Sequence, residues 1–387
     1  MTKANTGTPG WTVPEDLLAR IAERAPRYDA ENAFCAEDLD ELRAAGYLRL
    51  GVPVPQGGSG FGLAATSDVQ RQLAQAAPAT ALGLGMHQVW VQAARAVTAR
   101  GESFLQAVTE HAADDQLLAF GVSEPGNDAV LFDSSATAEP DGDGGYRFTG
   151  TKVFTSLAPA WDVLSVFGKD GTGPEPRLVH GFVLRSDGDV EHLDDWDTLG
   201  MRATQSRTTK LHGVHVPADR IVRSLPVGPN QDPLVFGVFA SFELLIASVY
   251  VGVAERALSL AAAAIGERKS LDGTPRSEDP DVRRAVADMR GAVDAIELQV
   301  SSLARSVDEL DDLGARWFPL LVGTKARAVD TAQHVVDEAM RVVGGSAYRA
   351  GGELARLARD VRAGQYHPSS RDSAARTIAA SVLGPLG

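Results

Sequence analysis

The run Leu244-Leu245-Ile246-Ala247-Ser248-Val249-Tyr250-Val251-Gly252-Val253-Ala254 holds 11 residues without a charge. The texture around it is helical and continues to Leu260, so the run predicts a helix that is apolar on nearly every side and buried in a core. It stops short of the roughly 18 uninterrupted apolar residues of a membrane span, and no membrane partner is expected. Downstream, charged amphipathic helices are predicted over 282–310 and 317–343. The break Val343-Gly344-Gly345-Ser346 then precedes an Ala- and Arg-rich helical end. Upstream the texture changes. Between 117 and 227 short alternating runs predict strands: Ser134-Ser135-Ala136-Thr137-Ala138, Tyr146-Arg147-Phe148, Val163-Leu164-Ser165-Val166-Phe167 and Leu178-Val179-His180-Gly181-Phe182-Val183-Leu184. Asp141-Gly142-Asp143-Gly144-Gly145 reads as a hairpin turn, and Lys210-Leu211-His212-Gly213-Val214-His215-Val216 as a last strand stopped by Pro217. Earlier still, Leu17, Leu18, Ile21 and Ala22, then Leu39, Leu42 and Ala45, and then Val89, Val91, Ala94 and Val97 recur at helical spacing.

This order predicts an α+β protein. An N-terminal helical domain covers 1–116, a central β-barrel or sandwich domain 117–228, and a C-terminal four-helix bundle 229–387.

Composition narrows the function. Lys+Arg 37 against Asp+Glu 51 leaves a net charge of -14, which repels phosphate backbones, so no nucleic acid partner is expected. The single cysteine, Cys35, excludes an internal disulfide and cysteine-based metal centres. His212 and His215 are the only close histidines, and on a regular strand they fall on opposite faces, so no metal site is expected. Met1–Gly10 has no apolar signal core and reads as a loose tail of a cytoplasmic protein. The loop Pro53-Val54-Pro55-Gln56-Gly57-Gly58-Ser59-Gly60-Phe61-Gly62 is glycine-rich but fails the dinucleotide spacing, and reads as a turn.

Several separated motifs carry a resemblance. Phe120-Gly121-Val122-Ser123-Glu124-Pro125-Gly126-Asn127-Asp128 and Gly150-Thr151-Lys152-Val153-Phe154-Thr155-Ser156 are two of them. Leu199-Gly200-Met201-Arg202-Ala203-Thr204-Gln205-Ser206, Glu267-Arg268-Lys269-Ser270, Gly344-Gly345 and Arg359-Asp360 follow in order. Together they resemble the acyl-CoA dehydrogenase superfamily of flavoproteins. The resemblance implies bound FAD, with FMN as the other option. Ser123, Phe154, Ser156 and Trp196 would lie around the ring, with Trp161 as a further wall. Arg268, Ser270, Gly344 and Gly345 would serve its phosphate end, Arg268 reaching across a dimer of a homotetramer.

The family's α-proton base has two known places, and neither holds a carboxylate here. One, counted from Arg359, falls on Pro368; the other, counted back from Gly252, falls on Phe242, with Glu243 one residue on. One residue turns a helical side chain by about 100°. The chain also resembles the dibenzothiophene monooxygenase-like branch, through Asp194-Asp195-Trp196, 245–254 and Arg359-Asp360-Val361-Arg362 followed by His367. That resemblance implies a two-component monooxygenase acting on a small organic substrate through a flavin C4a-hydroperoxide and fed by a flavin reductase. His367, titrating near neutrality, and Ser156 would be catalytic. The alternative is an acyl-CoA or acyl-carrier-protein dehydrogenase. Glu243 would then be the base for an acyl-thioester substrate, with an electron-transfer flavoprotein as partner.

Overall fold

A computed structural model describes residues 11–127 and 129–384. The tail expected over 1–10 lies outside them, as does Asp128. Five helices come first: α1 (Glu15–Glu31), α2 (Ala36–Ala44), α3 (Leu63–Ala76), α4 (Pro78–Ala99) and α5 (Gln106–Ala113). Eight strands follow: β1 (Leu118–Phe120), β2 (Thr137–Pro140), β3 (Tyr146–Thr155), β4 (Val163–Asp170), β5 (Arg177–Leu184), β6 (Val190–His192), β7 (Arg207–Val216) and β8 (Ile221–Pro226). The chain ends in α6 (Pro233–Gly266), α7 (Pro280–Asp308), α8 (Trp317–Val343), α9 (Glu353–Asp360) and α10 (Arg371–Leu383).

The strands form one mixed sheet in the order β6-β7-β3-β2-β4-β5-β8, with β1 parallel to β4. The sheet curls until its arms face each other: a Cβ added to Gly181 on β5 would come within 3.1 Å of Val216 Cγ1 on β7. Phe148, Val166, Val179 and Val214 fill the space between. The turn over 141–145 joins β2 to β3 as expected. Two strand expectations need correction. Ser134 and Ser135 stay out of β2 because both donate to Glu124 instead of to a ladder. Pro217 ends β7, but β8 then returns along β5, so β7 is not the last strand.

A further correction concerns the histidines. Gly213, at φ +73°, is the extra residue of a bulge, since Phe148 pairs with Val214 while Thr149 pairs with His212. The inserted residue restarts the alternation, so His212 and His215 share the outer face. Each meets its own carboxylate, Glu191 and Asp141 respectively. Among the described residues no group of three metal-ligating side chains occurs.

Helix α6 is the centre of the helical layers. Its apolar window has a mean hydropathy of 2.1, high enough for a membrane span, yet 89% of that window is buried inside the protein. α3, α4, α7 and α8 surround it, and Asp232 caps its start by accepting from the Leu234 amide. Three long helices, α6 to α8, with α10 against α8 make up the C-terminal layer.

Candidate active site

Sheet and helices meet around a cavity of about 280 Å³. Its walls come from Met86 on α4, Phe120 and Ser123 after β1, Phe154 and Ser156 at the end of β3, Trp196, Phe242 on α6, and His367. A larger chamber of about 670 Å³ adjoins it and shares Phe120, Ser123, Phe154, Phe242 and His367. Among the described residues, no Lys or Arg lines the larger chamber.

The backbone around the cavity is held in an uncommon region. Phe154, Leu157, Met201 and Gln205 all have positive φ, between +44° and +67°. Such positions persist only where the surroundings impose them, and they concentrate at functional sites. The imposing contacts come from afar. Met201 N donates to Asp360 Oδ1 at 2.6 Å, and Leu157 N to Thr204 O at 3.1 Å. Gly200 has no room for a Cβ, which would sit 2.5 Å from the Arg359 carbonyl carbon. Arg359 in turn meets Asp29 at the end of α1. Burial lifts the Asp360 carboxyl to about 6. The motifs at 199–206 and 359–360 therefore lock into each other.

The ring of Phe154 is 54% exposed and meets Trp196 edge to face at 6.2 Å. A large aromatic held out at a left-handed position is a wall for a ligand. Below it lies a chain of hydroxyls. Ser156 Oγ and Ser206 Oγ are 2.7 Å apart, Ser206 Oγ and Thr204 Oγ1 2.7 Å, and Thr204 donates to Met201 O at 2.9 Å. A carbonyl only accepts, so the whole chain is polarised: Ser206 donates to Thr204, and Ser156 donates to Ser206. Ser156 Oγ is left as an acceptor towards the cavity. Aromatic faces, an apolar slot and a hydroxyl acceptor fit the ring of a flavin, whose reduced form carries a ring N–H.

On the helical side, Tyr250 Oη lies 2.8 Å from His367 Nε2. Tyr250 is fully buried and stays protonated, its phenol pushed well up by desolvation. The phenol is satisfied only if it donates, which puts the imidazole proton on Nδ1. The expectation of a near-neutral His367 is corrected: burial, helped by the Lys325 charge, pushes it down to about 3, so it is a neutral donor.

Glu243 is 1% exposed, neither carboxylate oxygen has a hydrogen-bond partner, and it does not line the smaller cavity. It borders the larger chamber, and burial raises its pKa against the pull of Lys325 and Ser369. Phe242 takes the cavity wall instead, stacked on Phe120 at 5.6 Å. Trp161, expected as a flavin wall, is a core residue at 2% exposure, and its indole donates to His192 at 2.7 Å. Arg268, Ser270, Gly344 and Gly345 do not line either cavity. Arg268 donates to Val343 O and Ser346 Oγ, so three of the four gather where α6 and α8 end.

Tyr250 and Lys325 received no role from the sequence, though both left a signal. Tyr250 is the one phenol in the apolar run, and a buried phenol needs a partner. Lys325 interrupts the buried stripe Leu321, Ala328, Val329 and Ala332 of α8.

Comparison with known proteins agrees with this geometry. Residues 12–107 match the family described as acyl-CoA dehydrogenase, N-terminal domain, and residues 244–371 match its C-terminal domain. L-evernosamine nitrososynthase of Micromonospora is 30% identical over 97% of this chain and 91% of its own length. Dibenzothiophene monooxygenase of Rhodococcus qingshengii is 27% identical over 86% of this chain and 83% of its own. The solved complex of KijD3 with FMN and dTDP-3-amino-2,3,6-trideoxy-4-keto-3-methyl-D-glucose superposes with a TM-score of 0.85 at 27% identity, covering 96% of this chain and 92% of that one. The chain belongs to the acyl-CoA dehydrogenase superfamily of flavin-dependent oxidoreductases.

Proposed function

We propose that the protein is a two-component flavin monooxygenase that hydroxylates a small organic substrate, with a separate reductase supplying its reduced flavin. The observation that carries this reading is the Tyr250–His367 pair across the cavity from Ser156, at a site where Phe242 and Pro368 stand in both family positions of the α-proton base. A bound reduced flavin supplies the two electrons with which O₂ is divided between product and water. His367, neutral and donating from Nδ1, can hydrogen-bond a developing oxyanion at the cavity wall and so stabilise it. Tyr250 keeps the imidazole proton on the right nitrogen. Ser156, whose own proton is committed along the hydroxyl chain, would be free to accept an N–H hydrogen bond from a flavin ring. Phe120, Phe154, Trp196 and Phe242 keep water from the reacting face.

The acyl-thioester dehydrogenase alternative needs a carboxylate facing the cavity. Glu243 borders the larger chamber but not the smaller cavity, where Phe242 takes the wall instead. The test mixes enzyme-bound reduced flavin with air-saturated buffer. His367→Ala should release hydrogen peroxide faster than wild type. Anaerobic bleaching of the flavin by an acyl thioester would instead establish the dehydrogenase. Chromatography of the heat-released cofactor separates FAD from FMN. The same reading keeps a cytoplasmic homotetramer in which Arg268 serves the neighbouring subunit; light scattering of a stable flavin-loaded species of 40.8 kDa would end that part of it.

A further inference from the structure

Lys325 is 1% exposed, and its Nζ donates to three backbone carbonyls: Gly364 at 3.3 Å, His367 at 3.1 Å and Ser369 at 3.0 Å. An ammonium has three N–H donors, and all three are used on one short segment. That segment carries His367 between a 3-10 turn over Val361–Gln365 and α10. Ser369 within it sits at φ +31°, a position a serine rarely holds without outside restraint. Helix α8 is a rigid, buried element, so a cation rooted in it ties a loop to the core. Glu243 is also buried in this compartment, and neither of its carboxyl oxygens has a hydrogen-bond partner at hydrogen-bonding geometry. Its carboxyl takes no part in the carbonyl contacts.

We propose that Lys325 is a positioning residue for His367: by gathering the carbonyls of 364, 367 and 369 it fixes where the imidazole meets Tyr250 and the cavity. This inference rests on the reading of His367 as the hydrogen-bond donor, though the clamp itself does not. A bare apolar side chain at 325 would leave three carbonyls without a donor, and buried carbonyls without partners rearrange until they find one. The imidazole would move with them. A displacement of about 1 Å at a reacting group is enough to cost on the order of 100-fold in rate.

Lys325→Met and Lys325→Gln, the second keeping two N–H donors, are compared with wild type, His367→Ala and the double variant Lys325→Met/His367→Ala. Hydrogen exchange on the flavin-free protein reads the clamp directly. Amides of 361–371 should exchange on the order of ten-fold faster in Lys325→Met while α4 is unchanged. Peroxide release from the reduced, flavin-loaded protein reads the positioning. Lys325→Met should approach the level of His367→Ala, and the double variant should be no worse than His367→Ala alone, because both changes act through one imidazole. Flavin affinity should stay within about two-fold in either single variant. Unchanged exchange over 361–371 overturns the clamp, and an additive double variant overturns the action through His367. Should His367→Ala leave peroxide release at the wild-type level, the monooxygenase reading fails, and exchange alone then decides whether Lys325 holds the segment. If Lys325→Met does not fold, Lys325→Gln decides by the same two measurements.

Discussion

The molecule buries two glutamates near a lysine, one against the sheet and one between the helices, and their pKa values move in opposite directions. Glu124 meets Lys152 Nζ at 2.5 Å, with both side chains fully buried. It also accepts from Ser134 and from the amide and hydroxyl of Ser135. Lys152 donates on to Phe167 O and lies 4.0 Å over the Phe167 ring. Burial opposes the charge, but the lysine and the hydrogen bonds win, and Glu124 is held down at about 2. Glu243 has the same chemistry but is desolvated more deeply, and Lys325 spends its donors on carbonyls. Desolvation outweighs the pull of Lys325 and Ser369, and Glu243 is pushed up. The charge state of a buried carboxylate thus depends both on how deeply it is desolvated and on who donates to it.

The largest effect should come from testing whether Glu243 does chemistry at all. His367→Ala should lower product formation by about 10²–10³-fold, the usual loss for one positioned oxyanion donor. Glu243→Gln should leave turnover close to wild type. Steady-state assays with reduced flavin and O₂ check both, and the reverse ranking would make Glu243 the base of a dehydrogenase.

Breaking the sheet pair comes next. Lys152→Met leaves Glu124 as a buried charge without its partner, which typically costs about 3–5 kcal/mol. Urea denaturation should show a lower midpoint, whereas a midpoint equal to wild type would mean the pair contributes nothing.

The two glutamates should also give stability opposite slopes with pH. Glu124 has a folded value of about 2 against an ordinary 4.5, so the unfolded chain binds more protons between them. Stability from this group is present above 4.5 and is lost as pH falls towards 2. Glu243 is raised above 4.5, so the folded state holds the proton longer. Its contribution is present below 4.5 and is lost as pH rises towards neutrality. Thermal midpoints across pH 2–8 should rise, crest and fall. Glu243→Gln should flatten only the falling limb; a fall that survives in that variant would assign it to another group.

The smallest expected effect is at the hydroxyl of Tyr250. Tyr250→Phe removes one hydrogen bond and leaves His367 Nε2 without its donor, at about 1–3 kcal/mol for a buried unsatisfied group. Turnover should drop by roughly ten-fold while flavin affinity holds. An unchanged rate would show that His367 keeps its tautomer without the phenol.

Much of this site was legible because it sits in local motifs. Ser123, Phe154, Ser156, Trp196 and His367 were identified from short stretches, and all five line one cavity. Phe242 in place of a carboxylate was readable by counting along α6, since helical geometry converts a one-residue offset into a turned side chain. The short apolar run of Val163 to Phe167, buried throughout, and the uninterrupted run at 244–254 also carried the strand and the core helix, because full burial leaves apolar runs whose length separates strand from helix.

What the sequence determined by itself was therefore the α-β-α order, the family, and the residues that share a motif with the cavity. Tertiary structure decided the rest. Trp161 packs against His192 and Arg185 instead of a ligand. His212 and His215 come to one face through a bulge at Gly213. Tyr250 finds His367 across 117 residues of chain, and His367 loses its near-neutral pKa to burial. Periodicity and motif spacing are local properties, set by neighbours within a few residues. Charge state, tautomer and exposure depend on desolvation and on hydrogen-bond partners, and those are supplied by segments that only the folded chain brings together.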